Sequence, residues 1–333
     1  MKRNQCFIVI LIVSIIFSIS YLWGEQKKHV SKPEVQELVK RLESTEDPVL
    51  RRGLCEELGR IRDKKATSAL IQALNDEDFG VRMNACDALG NIGDERATPK
   101  LIELLKDKHS QVKISAISAL GSIRDVESVA PLIKILEEGD DSRVRLAAIQ
   151  VLGKLGDKRA VLVLTNTLTD SDVVIRKASA KSLGEIRAEE GFSSLIDALG
   201  DKDMNVRRNA AESLGNLGNK EAIKPLNKRL KKEQDLMSKV VISRALSLLG
   251  SKKGLKVALK GTESKDFRIR IVACETLGNI GINNEKVINV LKEALNDEND
   301  SVVLQAKMSL QKLGVKKLGV IKKLGVRPQH STK

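Results

Sequence analysis

DFGVRMNACDALGNIGDERA, residues 78–97, returns with altered detail as DSRVRLAAIQVLGKLGDKRA at 141–160 and as DMNVRRNAAESLGNLGNKEA at 203–222. The shared frame is an aspartate, an arginine four residues on, and a Leu-Gly step whose glycine lies eight residues beyond the arginine. Extended outward, this step marks nine positions: Gly59, Gly90, Gly121, Gly153, Gly184, Gly215, Ser247, Gly278 and Gln311. They recur every 31 to 33 residues. A period between about 20 and 50 residues indicates stacked repeats and not one central core.

The register can be tested at positions that did not define it. Eight residues before each mark stand Arg51, Arg82, Lys113, Arg145, Arg176, Arg207, Lys239 and Arg270, with Val303 the one departure. Twelve before stand Asp47, Asp78, Asp141, Asp172, Asp203, Asp235 and Asp266, with His109 and Asn299 as exceptions. Each repeat carries two apolar patterns of helical period. The first holds paired aliphatics such as Leu70, Ile71 and Leu74, or Leu132, Ile133 and Leu136, with Pro99, Pro131 and Pro225 near its start, where a missing N–H costs little. The second opens at the aspartate, a good helix N-cap, and runs to the Leu-Gly step, where glycine is expected to end or loosen the turn. At 100° per residue the positions nine, five and one before the mark (Val81, Ala85 and Leu89 in repeat two) fall on one core side. Positions seven and three before it are expected to point away.

At this level of detail the sequence resembles HEAT repeats, and within them the short HEAT-like repeats of the phycobilisome-lyase type. The pattern Asp-x-x-Val-Arg-x-x-Ala-x-x-Ala-Leu-Gly carries the resemblance, over residues 32–314. It implies an all-α fold: a right-handed α-α superhelix, a HEAT-type solenoid of nine two-helix repeats, with the second helices lining a concave face. It does not imply lyase activity, because the repeat serves many functions.

Composition agrees with such a stack. Aromatic residues are 2% of the chain, and the apolar mass is Leu, Ile, Val and Ala. The net charge is +14, yet residues 307–333 hold eight Lys and Arg and no acid. Residues 32–306 then carry only +3, which argues against a nucleic-acid groove along the body. Lys2 and Arg3 precede an uncharged run, CFIVILIVSIIFSISYLW at 6–23. This is the pattern of a secretory signal, with small residues for cleavage after Ser20 or Gly24, and it is also long enough to span a bilayer. Residues 1–24 are therefore a signal peptide or an amino-terminal membrane anchor, 25–31 a linker, 32–314 the solenoid, and 315–333 a basic tail in which KKLGV occurs twice. Either form of the leader places the body outside the cytoplasm, periplasmic, secreted or membrane-anchored.

No motif for chemistry emerges. His29, His109 and His330 lack a second histidine or a cysteine at ligand spacing, and no phosphate loop, Cys-x-x-Cys or Ser/His/Asp grouping occurs. Cys55, Cys86 and Cys274 share one repeat position with Ile and Ala, so they read as small buried apolar residues and not as a disulfide or metal site. No cofactor, metal or small-molecule substrate is expected, and no catalysis. The repeated Asp and Arg read as caps and a ladder of ion pairs joining neighbouring repeats.

Recognition is instead expected where repeats differ. Met83, Ile114 and Leu146 form an apolar run seven before the mark, and Lys177, Lys181 and Arg208 a basic segment after it. These six are the candidate partner-binding residues of a groove that takes a protein partner. The alternatives are a peripheral membrane or polyanion binder acting through the basic tail, and a lyase-like HEAT protein.

Overall fold

The computed structural model describes residues 34–281 and 285–315. The leader at 1–24, the linker and all of the basic tail after Val315 lie outside the described residues. The helices fall into two compact units, one through Ala97 and one from Thr98, so the division cuts repeat three just before its first helix.

The first unit holds α1 (Val35–Ser44) and α2 (Pro48–Ile61), then α3 (Thr67–Ala73) and α4 (Phe79–Ile92). The second unit continues with α5 (Thr98–Glu103) and α6 (Ser110–Ile123), α7 (Val129–Glu138) and α8 (Ser142–Leu155), and α9 (Val161–Thr167) and α10 (Val173–Ile186). It ends with α11 (Phe192–Ala198) and α12 (Met204–Leu217), α13 (Ile223–Lys232) and α14 (Leu236–Leu248), α15 (Leu255–Gly261) and α16 (Phe267–Ile280), and α17 (Glu285–Glu293) and α18 (Asp300–Lys312). These are nine helix pairs, one per register mark, and no strand occurs among the described residues. Within each unit the odd-numbered helix packs on its even-numbered mate, and successive even-numbered helices stack side by side.

The core is the one the period requires. Val81, Ala85 and Leu89, and likewise Val144, Ala148 and Leu152, are fully buried. So are Leu70, Leu101 and Leu132 of the first helices. Each such Leu contributes about 2 kcal/mol by leaving water. Asp47, Asp78, Asp141, Asp172, Asp203, Asp235 and Asp266 each accept a backbone N–H in the first turn of the helix they precede. Asn299 does the same, whereas the His109 side chain caps nothing.

One expectation fails. The register glycine does not end the second helix. Each helix that carries one runs two residues further, and the terminator is the residue three past the mark, held in the left-handed region: Arg62 (φ 61°), Gly93 (71°), Arg124 (63°), Gly156 (72°), Arg187 (55°), Gly218 (82°) and Gly281 (70°). The register glycine serves stacking instead. A Cβ on Gly59 would lie 2.7 Å from Ala88 Cα, one on Gly215 2.8 Å from Ala245 Cα, and one on Gly184 2.8 Å from Ser213 Cα. In the seams so opened, hydroxyls reach the preceding helix: Ser182 donates to the Ile149 carbonyl at 3.0 Å, Ser213 to Ala180 at 2.7 Å and Ser309 to Cys274 at 2.8 Å.

Candidate partner-binding face

The ladder arginines are spent within the stack. Each sits eight before its mark, and in the pairs that follow its partner is a carboxylate two residues ahead of the next repeat's cap (one ahead at Asp140), not the cap itself. The pairs are Arg51–Asp76 (2.6 Å), Arg176–Asp201 (2.7 Å), Arg207–Glu233 (2.9 Å) and Arg270–Asp297 (2.7 Å), with Lys113–Asp140 (2.6 Å) and Arg145–Asp170 alongside them. The same guanidinium turns back to the loop before its own helix: Arg176 donates to the Asp170 and Ser171 carbonyls at 2.9 and 3.1 Å. Burial pulls the Asp201 carboxyl upward, but hydrogen bonds from Arg176 and the Asp203 amide outweigh it, and the net shift is downward. The Arg52 guanidinium beside Asp78 similarly holds that carboxyl at about 2.

The position seven before the mark does not point away into solvent. It lies at the seam with the next second helix. Ile114 and Leu146 are half-buried there and Val240 is fully buried, while Met83 of the first unit is half-buried as well. Arg208 at this position donates to Asp235 and, at 2.7 Å, to the Ser238 hydroxyl, so its charge is already matched. Position three is the open one in the first five repeats, where Glu56, Ser118, Gln150 and Lys181 are exposed, and is half-buried at Glu212, Arg244 and Glu275. The reason is stacking direction. A neighbouring helix lies over the face on which position seven sits.

In the second unit the stack nonetheless gathers three of the six predicted residues. Leu146, Lys177 and Lys181 line one open cleft of about 430 Å³ between α8 and α10, bordered by α12. Gln150 and Lys154 follow Leu146 along α8, Val174 and Ala178 belong to α10, and Asn209 of α12 closes one end. Asn209 donates its side-chain amide to the Lys177 carbonyl at 2.9 Å, pinning the border helix. Lys181 stands 3.5 Å from Glu185, one turn on. Both are solvated, so the pair is weak. Neither Lys154 nor Lys177 lies within ion-pair distance of a carboxylate among the described residues. Further along, Arg244 is sandwiched between Glu212 and Glu275, so charge there is compensated internally.

Ile114 of α6 is not among the residues that line this cleft, Arg208 is held in its ion pair, and Met83 belongs to the first unit. Lys154 was hidden from sequence reasoning because the helix was expected to stop at the preceding glycine. The repeat's second exposed apolar position also escaped notice: the residue just after the cap, as at Val173, Met204 and Phe267, each about two-fifths exposed.

The three described cysteines are buried thiols, and burial pushes Cys55 and Cys274 up to about 12, far from nucleophilic use at neutral pH. Among the described residues no group of three or more His, Cys, Asp or Glu is placed to hold a metal ion, and no helix is long and apolar enough to cross a membrane.

Helix pairs stacked at a constant period define an α-helical repeat protein. A family profile described as HEAT repeats matches residues 35–121, 98–179, 161–247 and 238–311, and the chain belongs to that family. No curated protein sequence matches it. Among solved structures, importin beta is similar over 84% of this chain and 47% of its own, at 14% identity and a TM-score of 0.57. The complex of CpcE and CpcF of phycocyanin lyase from Nostoc sp. PCC7120 aligns over 74% and 93% of the two chains at 23% identity, with a TM-score of 0.44. An engineered protein aligns over 84% and 88% at 22% identity and 0.47. At these identities the likeness is one of fold alone.

Proposed function

We propose that this chain is a non-catalytic interaction scaffold that holds a protein partner on its second-helix face, outside the cytoplasm. The observation that carries the reading is the α8–α10 cleft, where an apolar floor meets lysines that the ladder leaves unmatched. Elsewhere on this face charges are mostly paired within the stack, which is a structural use and leaves little for a partner. Lys2 and Arg3, followed by the uncharged run at 6–23, support export. The test places a photo-crosslinking residue at Gln150 in the chain expressed in its own host. Leu146→Ser combined with Lys177→Glu and Lys181→Glu should remove the crosslinked partner while helix content stays unchanged. Equal recovery from this variant would sink the proposal.

A second reading rests on the +8 carried by residues 307–333. Clustered lysines near anionic lipid contribute about 1 kcal/mol each. If the tail drives association, truncation after Gly314 abolishes flotation with anionic vesicles, and the binding of the intact chain falls steeply with salt. The scaffold reading expects the truncated chain to keep its partner.

A further inference from the structure

We infer that the α8–α10 cleft takes an acidic segment of a protein partner, with an aliphatic side chain on its floor and carboxylates on its lysine rim. This rests on the scaffold reading and gives its partner a chemistry. The geometry is a triangle. Lys177 and Lys181 stand one turn apart on α10, about 6 Å in rise. Lys154 stands on the neighbouring helix, about 8–10 Å across. Between them lie Leu146, Val174 and Ala178, an apolar floor in a space of about 430 Å³. The only carboxylate lining the cleft is Glu185, which reaches Lys181 alone. At neutral pH the cleft therefore holds an uncompensated positive charge above an apolar surface. An extended acidic peptide with an aliphatic residue matches both features.

Phosphate-bearing partners match them poorly. Arginine is the side chain that grips phosphate in a planar fork. The arginines flanking this cleft on the stacked helices, Arg145, Arg176, Arg207 and Arg208, are each bound to a carboxylate of the next repeat. Val174 brings the first turn of α10 to the cleft, but its N–H is already donated to the Asp172 carboxylate at 2.8 Å, and that capping carboxylate disfavours a bound anion there. It has no aromatic lining on which a nucleobase could stack. What remains are separate point charges over an aliphatic floor, the pattern suited to dispersed Glu and Asp side chains.

The experiment measures fluorescence anisotropy of the full chain with a short labelled peptide that places Glu residues around one Leu. Its Gln-for-Glu analogue, oligouridylate and phosphatidylglycerol vesicles are the comparison probes. Saturable binding of the acidic peptide is expected, weakening with salt, with the analogue at least about tenfold weaker. The triple variant Lys154→Gln, Lys177→Gln, Lys181→Gln should lose at least about tenfold, and the single Lys177→Gln a part of that, whereas Lys316→Gln with Lys317→Gln in the tail changes nothing. All three cleft lysines are exposed, so the variants keep their fold, which circular dichroism checks. Equal peptide binding by the triple variant overturns the inference, as does equal binding of the analogue, or cleft-dependent binding of the RNA or vesicles alone. A native complex that survives the triple substitution also overturns it and leaves the scaffold reading standing. A chain that forms no native complex overturns the scaffold reading, while the peptide assay still decides this one.

Discussion

Arg176 shows how one residue type can be repeated along a chain for stacking alone. Its guanidinium bridges Asp201 of the next repeat and two carbonyls of its own loop, and its side chain is only 6% exposed. Removing one member of a buried pair leaves the other desolvated without compensation. Arg176→Met is therefore expected to cost about 3 kcal/mol in urea unfolding, and the Asp201 carboxyl should titrate higher than in the intact protein, because the burial that raises it is then opposed only by the Asp203 amide and Lys202. Arg143, whose partner Asp141 caps the same helix and whose side chain is largely solvated, provides the contrast. Arg143→Met should leave the unfolding midpoint unchanged. A loss at Arg143 equal to that at Arg176 would mean that the inter-repeat bridge is not what matters.

At the scale of the element, the glycines separate into two kinds that composition cannot distinguish. Gly184 faces Ser213 across a seam in which a Cβ would lie 2.6 Å from the serine Cβ and 2.8 Å from its Cα. Helix propensity favours Ala over Gly by about 1 kcal/mol, but overpacking against backbone costs about 1–3 kcal/mol, so Gly184→Ala is expected to destabilise. Gly53 lies inside α2, where a methyl group in place of its hydrogen would meet nothing within 4 Å, and Gly53→Ala should stabilise by up to about 1 kcal/mol. Chemical denaturation of the two variants reads opposite signs. If both stabilise, the seam is looser than its geometry states. Helix termination, by contrast, falls to the residue three past the mark, where Arg62, Arg124 and Arg187 adopt a backbone that favours glycine.

For the whole molecule the repeated carboxylates set the response to acid. Asp78 is held at about 2, and Asp157, Asp170, Asp201, Glu233 and Asp297 are all shifted below their ordinary values. A folded-state value below the unfolded one contributes stability that is present above the unfolded pKa, near 4, and is lost as pH falls through the folded one. Helicity at a fixed urea concentration should therefore hold at neutral pH and fall between about pH 4 and pH 2; a midpoint indifferent to that window would deny the ladder its part. The sequence by itself determined the nine repeats, the helix pairs, the capping aspartates and the buried aliphatic stripes, because each follows from local spacing along the chain. It did not determine which side of the second helix faces solvent, since that depends on how the next helix lies across it. The stack half-buried Ile114 and Leu146, tied Arg208 to Asp235, and carried the helix past Gly153 so that Lys154 joined Lys177 and Lys181 at one cleft. Only the tertiary structure could decide that, because charge left over is defined by which neighbours have already been used.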